Sequence, residues 1–188
     1  MKKKLVTLCA ALALCATAIV GGTLAYFTDN KTATNTFTVG NVEITLTEPK
    51  WTEAGEAGHT NVYPGQKLDK DPTVTNSGNN ACYVRIKVEG LNQFGDKGDI
   101  TYLTNGENKL GAGWVEKDGY FYYTEALKKK GESTSALFDQ IQVPTGLTNE
   151  DGGVGKNVEV KAEAVQAQGL KDNPTVAEIA AWFATCGL

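Results

Sequence analysis

The 188-residue chain contains one histidine, His59, so a single imidazole is all it can offer as a base or a zinc ligand. That count excludes a His-x-x-x-His zinc pair and any two-histidine mechanism within one subunit. His59 lies in Glu53-Ala54-Gly55-Glu56-Ala57-Gly58-His59, which has neither a helical nor a strand period, and it reads as a solvated loop residue. The acidic turns Asp96-Lys97-Gly98-Asp99 and Asn149-Glu150-Asp151-Gly152-Gly153 could place oxygen atoms on calcium. Neither follows the EF-hand spacing, so both read as solvated turns. Gly152-Gly153-Val154-Gly155 lacks the Lys-Ser/Thr pair and the strand-to-helix setting of a phosphate loop. No catalytic, metal-binding or cofactor-binding residue is nominated, and calcium is the one cofactor left open. The run Tyr120-Phe121-Tyr122-Tyr123 is different, because consecutive strand residues point to opposite faces. One pair should fill a core, while the other meets solvent, a partner, or the chain's own terminal helix.

The amino terminus reads as an address. Lys2, Lys3 and Lys4 precede an apolar run over 5–20 that breaks at Gly21-Gly22, the charged and apolar regions of a secretory signal. Thr23 and Ala25 supply the small side chains a signal peptidase reads, which places the cut between Ala25 and Tyr26. The other reading is a retained anchor, since residues 5–25 are nominally long enough to cross a bilayer. Lipidation at Cys15 fits poorly, because Leu14 is not small and the apolar run continues beyond it. Cleavage leaves residues 26–188 and removes three lysines, shifting the formal charge from −4 to −7. Localisation is therefore expected to be extracellular or at the cell surface. Cys82 and Cys186 stay with the exported part and form a candidate disulfide, for which two free thiols are the alternative. Such a bridge would close a long loop, worth about 4 to 5 kcal/mol in the chain-entropy model.

The elements that carry these residues are mostly strands. Cys82, Val84, Ile86 and Val88 alternate with Tyr83, Arg85 and Lys87, and Val158, Val160, Ala162 and Ala164 alternate with Glu159, Lys161 and Glu163. Weaker strands fall at 72–75, 100–103 and 138–143, with a hairpin over 114–123 turning at Asp118-Gly119. Phe37 and Val39 alternate, the phase flips at Gly40, and Val42, Ile44 and Leu46 alternate again. Loops are expected at 47–65, 89–99, 104–113 and 144–157. Asn173-Pro174-Thr175 opens a terminal helix with Thr175 and Glu178 as a capping box and Val176, Ile179, Ala180 and Phe183 as its apolar stripe. The expected fold is mainly β: one jelly-roll-like antiparallel β-sandwich over 26–188, a short C-terminal helix, and a signal-peptide helix over 1–25. With 41% apolar and 21% charged residues, 17 Lys, Arg85 alone as arginine, and 22 Asp+Glu, no basic face for nucleic acid is expected.

The junction Gly21-Gly22-Thr23-Leu24-Ala25-Tyr26-Phe27-Thr28-Asp29, followed by Ala33-Thr34-Asn35-Thr36-Phe37-Thr38-Val39-Gly40-Asn41-Val42, resembles the start of the camelysin/TasA family. Further likeness runs through Val62-Tyr63-Pro64-Gly65-Gln66, Asp71-Pro72-Thr73-Val74-Thr75-Asn76-Ser77-Gly78, Tyr83-Val84-Arg85 and Ala162-Glu163-Ala164-Val165-Gln166-Ala167. The resemblance implies a Gram-positive exported jelly-roll subunit of biofilm-matrix fibres or a cell coat, released by a SipW-type signal peptidase. Its implied partners are other copies of itself and other matrix proteins. It also carries a competing label of casein-cleaving metallopeptidase, for which this sequence supplies no His-Glu-x-x-His and no transferable zinc ligand; a non-enzyme is expected. A surface adhesin or carbohydrate-binding module using exposed aromatics is a third reading. Residues 26–39, with Phe27, Phe37, Val39 and the pivot Gly40, form a candidate assembly strand that could add to a neighbour's sheet edge.

Overall fold

Two eight-residue strands of largely alternating residues carry the fold. β4 (Cys82–Glu89) and β9 (Glu159–Gln166) pair antiparallel over their whole length, from Cys82 opposite Gln166 to Glu89 opposite Glu159. The computed structural model describes residues 41–54, 62–148 and 157–188. The other described strands are β1 (Ile44–Thr47), β2 (Lys67–Asp69), β3 (Thr73–Asn76), β5 (Thr101–Leu103), β6 (Trp114–Lys117), β7 (Tyr120–Tyr123) and β8 (Gln140–Gln142). They form three antiparallel sheets ordered β1-β3, β2-β8-β5 and β6-β7-β4-β9. The β6-β7 hairpin turns at Asp118 and Gly119 with φ of 52° and 78°, the left-handed pair that a two-residue hairpin needs. Mainly antiparallel β structure with a short C-terminal helix is therefore what the chain adopts.

Period-two alternation sends the two faces of the four-stranded sheet into different cores. Cys82, Val84, Ile86, Trp114 and Phe121 join Val74, Leu137, Phe138 and Ile141 from the smaller sheets and their connections in the main core. The opposite face presents Tyr83, Tyr122 and Val165, which are covered by Ile179 and Phe183 of the C-terminal helix α2 (Val176–Thr185). The expected capping box is present: Thr175 accepts from the Glu178 amide while the Glu178 carboxylate accepts from the Thr175 amide at 2.8 Å. Two elements lie where loop or no element was expected. Pro49–Ala54 forms a one-and-a-half-turn helix, α1, within the 47–65 stretch, and Lys67–Asp69 forms β2.

Candidate functional site

Among the described residues β9 has a strand partner, β4, on one side only. The amide of Ala167 donates to Ala81 O at 2.8 Å, and Cys82 exchanges both main-chain bonds with Leu127 on the far side of β4. Bonded and non-bonded pairs alternate along an antiparallel ladder. Cys82 and Gln166 thus form a non-bonded pair, and so do the pairs of Val84 with Ala164, Ile86 with Ala162 and Val88 with Val160. The main-chain N–H and C=O groups of Val160, Ala162, Ala164 and Gln166 accordingly point away from β4, along the open edge. The side chains of Val160, Ala162 and Ala164 turn into the main core, where they are half-buried.

β1, whose described strand partner is β3 alone, lies near the Val160 end of this edge. Beside it lies a groove of about 620 Å³, walled by Leu46 and Glu48 from β1 and its end, Pro49, Thr52 and Glu53 from α1, and Val160 from β9. Val42, Ile44 and Leu46 alternate inward and, like Val160, are half-buried against the main core; of the three, Leu46 lines the groove. The wall is anchored by Lys70, which is 3% exposed; its Nζ bonds the Glu48 carboxylate at 2.9 Å and lies 4.5 Å from the centre of the Trp51 ring. Asp71 completes the tie by accepting from the Lys50 amide at 2.9 Å.

The outer face of the same sheet is charged and aromatic. Arg85 is 5% exposed, lies 3.9 Å from the Tyr120 ring centre and 4.5 Å from that of Phe183, and its Nε donates to Glu163 at 2.6 Å. Desolvation opposes its charge, but bonds to Tyr122 and Glu163 outweigh that and hold its pKa above the usual value. Further along, Lys161 and Lys87 flank Glu89 and hold its carboxyl down at about 2. The four-aromatic strand is spent internally. Phe121 and Tyr123 pack with the main core, Tyr122 meets Phe183 edge-on, and Tyr120 stacks on Arg85, so this run does not offer the exposed platform that a sugar-binding reading requires.

Cys82 and Cys186 are both free thiols. The reason is parity. Cys82 points into the main core, whereas α2 and its C-cap Cys186 lie on the opposite face of the sheet. Burial, reinforced by Glu132, pushes the Cys82 thiol up to about 11. Thr23, Ala25, Tyr26, Phe27, Phe37, Val39, Gly40, His59 and the 149–155 turn lie outside the described residues. Of the acidic turns, Gly95–Lys97 is a short 3-10 helix with no buried residue. Lys70 and the β1–β9 groove were not singled out by sequence reasoning; a lone Lys beside Asp71-Pro72 carries no pattern that marks it as buried.

These features define a class first: a mainly antiparallel β protein whose four-stranded sheet ends, among the described residues, on a strand with one partner, beside a groove. Residues 1–112 match the model of the family described as Camelysin metallo-endopeptidase, and the chain belongs to that family. The match takes in β1 to β5 and ends before β6. No curated protein matches the chain. A metallopeptidase needs a metal, and the described residues do not fit one: among them no three His, Cys, Asp or Glu side chains come together in a group that could hold an ion.

Proposed function

We propose that this family member is an exported structural subunit that builds extracellular fibres or a surface coat by adding residues 26–39 of one copy to the β9 edge of the next. The observation that carries the reading is that edge: main-chain groups of Val160, Ala162 and Ala164 face outward, and at its Val160 end the edge borders a groove shared with β1. An extended segment laid there would gain main-chain hydrogen bonds and cover half-buried Leu46 and Val160 with its alternate side chains. Head-to-tail addition of this kind does not close, so it yields filaments. The signal over 1–25 supplies export, removal after Ala25 by a SipW-type peptidase frees the segment, and other matrix proteins are candidate partners.

The test is electron microscopy of the exported protein with and without residues 26–39. The reading requires filaments from the intact protein and folded, non-polymerising monomers from the deletion. A deletion that polymerises as before contradicts it, and a deletion that unfolds assigns the segment to its own subunit's sheet. The family's description favours a second reading, a secreted metallo-endopeptidase. It would have to use His59, so zinc-dependent casein cleavage lost in His59→Ala would replace the structural reading.

A further inference from the structure

The open edge of β9 has an end, and one side chain makes it. Trp182 Nε1 on α2 donates to Gln166 O at 2.9 Å, the last outward-pointing carbonyl of the strand. The indole is held against the turn that follows. At Gly169, with φ of 114°, an added Cβ would come within 2.7 Å of Trp182 Cζ2 and 2.8 Å of Cη2, so the ring lies directly on the backbone there. On its other side α2 is fastened by Ile179 and Phe183, both fully buried.

We infer that Trp182 is a register stop for the strand that adds to β9. Slipping an added strand by one residue turns its apolar side chains to the wrong face and is forbidden by the pleat. A slip of two residues preserves the faces, and the pleat does not discriminate against it. Trp182 does so at one end, because the carbonyl that would pair the slipped strand is already taken and covered by the indole. Val160, Ala162 and Ala164 are left as the usable edge, and the occupant is the 26–39 segment of a second copy. The inference rests on the strand-addition reading above. It explains what that reading alone does not, namely what keeps an added strand from slipping past the Gln166 end of β9.

Residue-resolved hydrogen exchange on the exported protein, assembled and unassembled, tests it in wild type and Trp182→Ala. In wild type, assembly should slow exchange roughly tenfold or more at Val160, Ala162 and Ala164 and leave Gln166 unchanged. In the variant, Gln166 should gain the same protection. Ile179 and Phe183 amides report whether α2 survives; if it unravels, Trp182→Leu, which keeps an apolar contact, takes its place with the same expectation. Protection of Gln166 in wild-type assemblies, or none there in the variant, overturns the stop while leaving strand addition standing. No gain at Val160, Ala162 or Ala164 in wild type overturns strand addition at this edge, and the stop with it.

Discussion

Arg85 and Lys70 are charged side chains held almost wholly out of solvent, and both are satisfied there by an ion pair plus an aromatic face. Arg85 is packed between Tyr120 and Phe183 and bonded to Glu163, so it links β4, β7, β9 and α2 in one contact set. Arg85→Ala leaves Glu163 without its partner and Phe183 without its cation; a loss of about 3 kcal/mol is expected, read from urea unfolding at pH 7. Arg85→Lys should recover only part of it, because an ammonium does not stack flat on a ring while bonding sideways to a carboxylate. Full stability in Arg85→Lys would show that the charge alone matters. The sequence marks Arg85 as the sole arginine on an alternating strand, but it cannot show that the polar face of that strand will be covered. That depends on where α2 docks.

At the scale of elements, strands with eight alternating residues are legible and three-residue strands are not. β4 and β9 declare themselves because each repeats its period at least three times, and the Asp118-Gly119 turn names its hairpin. β2 carries one apolar residue, Leu68, and exists because β8 offers it a ladder; no local signal specifies it. α1 has Trp51 as its only large apolar side chain and is held by Lys70 and Asp71, residues some twenty positions away. The disulfide expectation fails for a related reason, since periodicity places Cys82 on a face but does not say which face the helix will cover. The legible helix carries a pH prediction. Lys171 and the Thr175 cap hold the Glu178 carboxyl at about 2, below the ordinary 4.5. A depressed carboxyl contributes stability that is present above its unfolded pKa and lost as pH falls through the folded one. Amide protection of α2 should therefore decline between about pH 4.5 and pH 2. Glu178→Gln, which cannot titrate, should flatten that decline; an equally steep loss in the variant would remove Glu178 as its cause.

For the whole molecule, the open side of the four-stranded sheet matters most. β6, at the other end of that sheet, is four residues long and carries Glu116 and Lys117, the short, charged build that discourages further pairing. β9 is twice as long, and its outward main-chain groups belong to Val160, Ala162, Ala164 and Gln166, with a groove at the Val160 end. One end of the sheet is thus blunted while the other is left fit to accept a strand, and this asymmetry is what a polar, head-to-tail filament requires. No local pattern in the sequence discloses it, because alternation over 158–164 fixes which side chains face the core and is silent on which flank of the strand has no strand partner among the described residues.

Filament formation by exported Ala162→Pro is the most direct measurement of that claim. Proline removes the outward N–H of Ala162 and is tolerated on an edge strand where that N–H does not serve the ladder. The account predicts folded monomers, with α2 amides protected as in wild type, and no filaments by electron microscopy. Filaments as abundant and as ordered as those of the unsubstituted protein would contradict it.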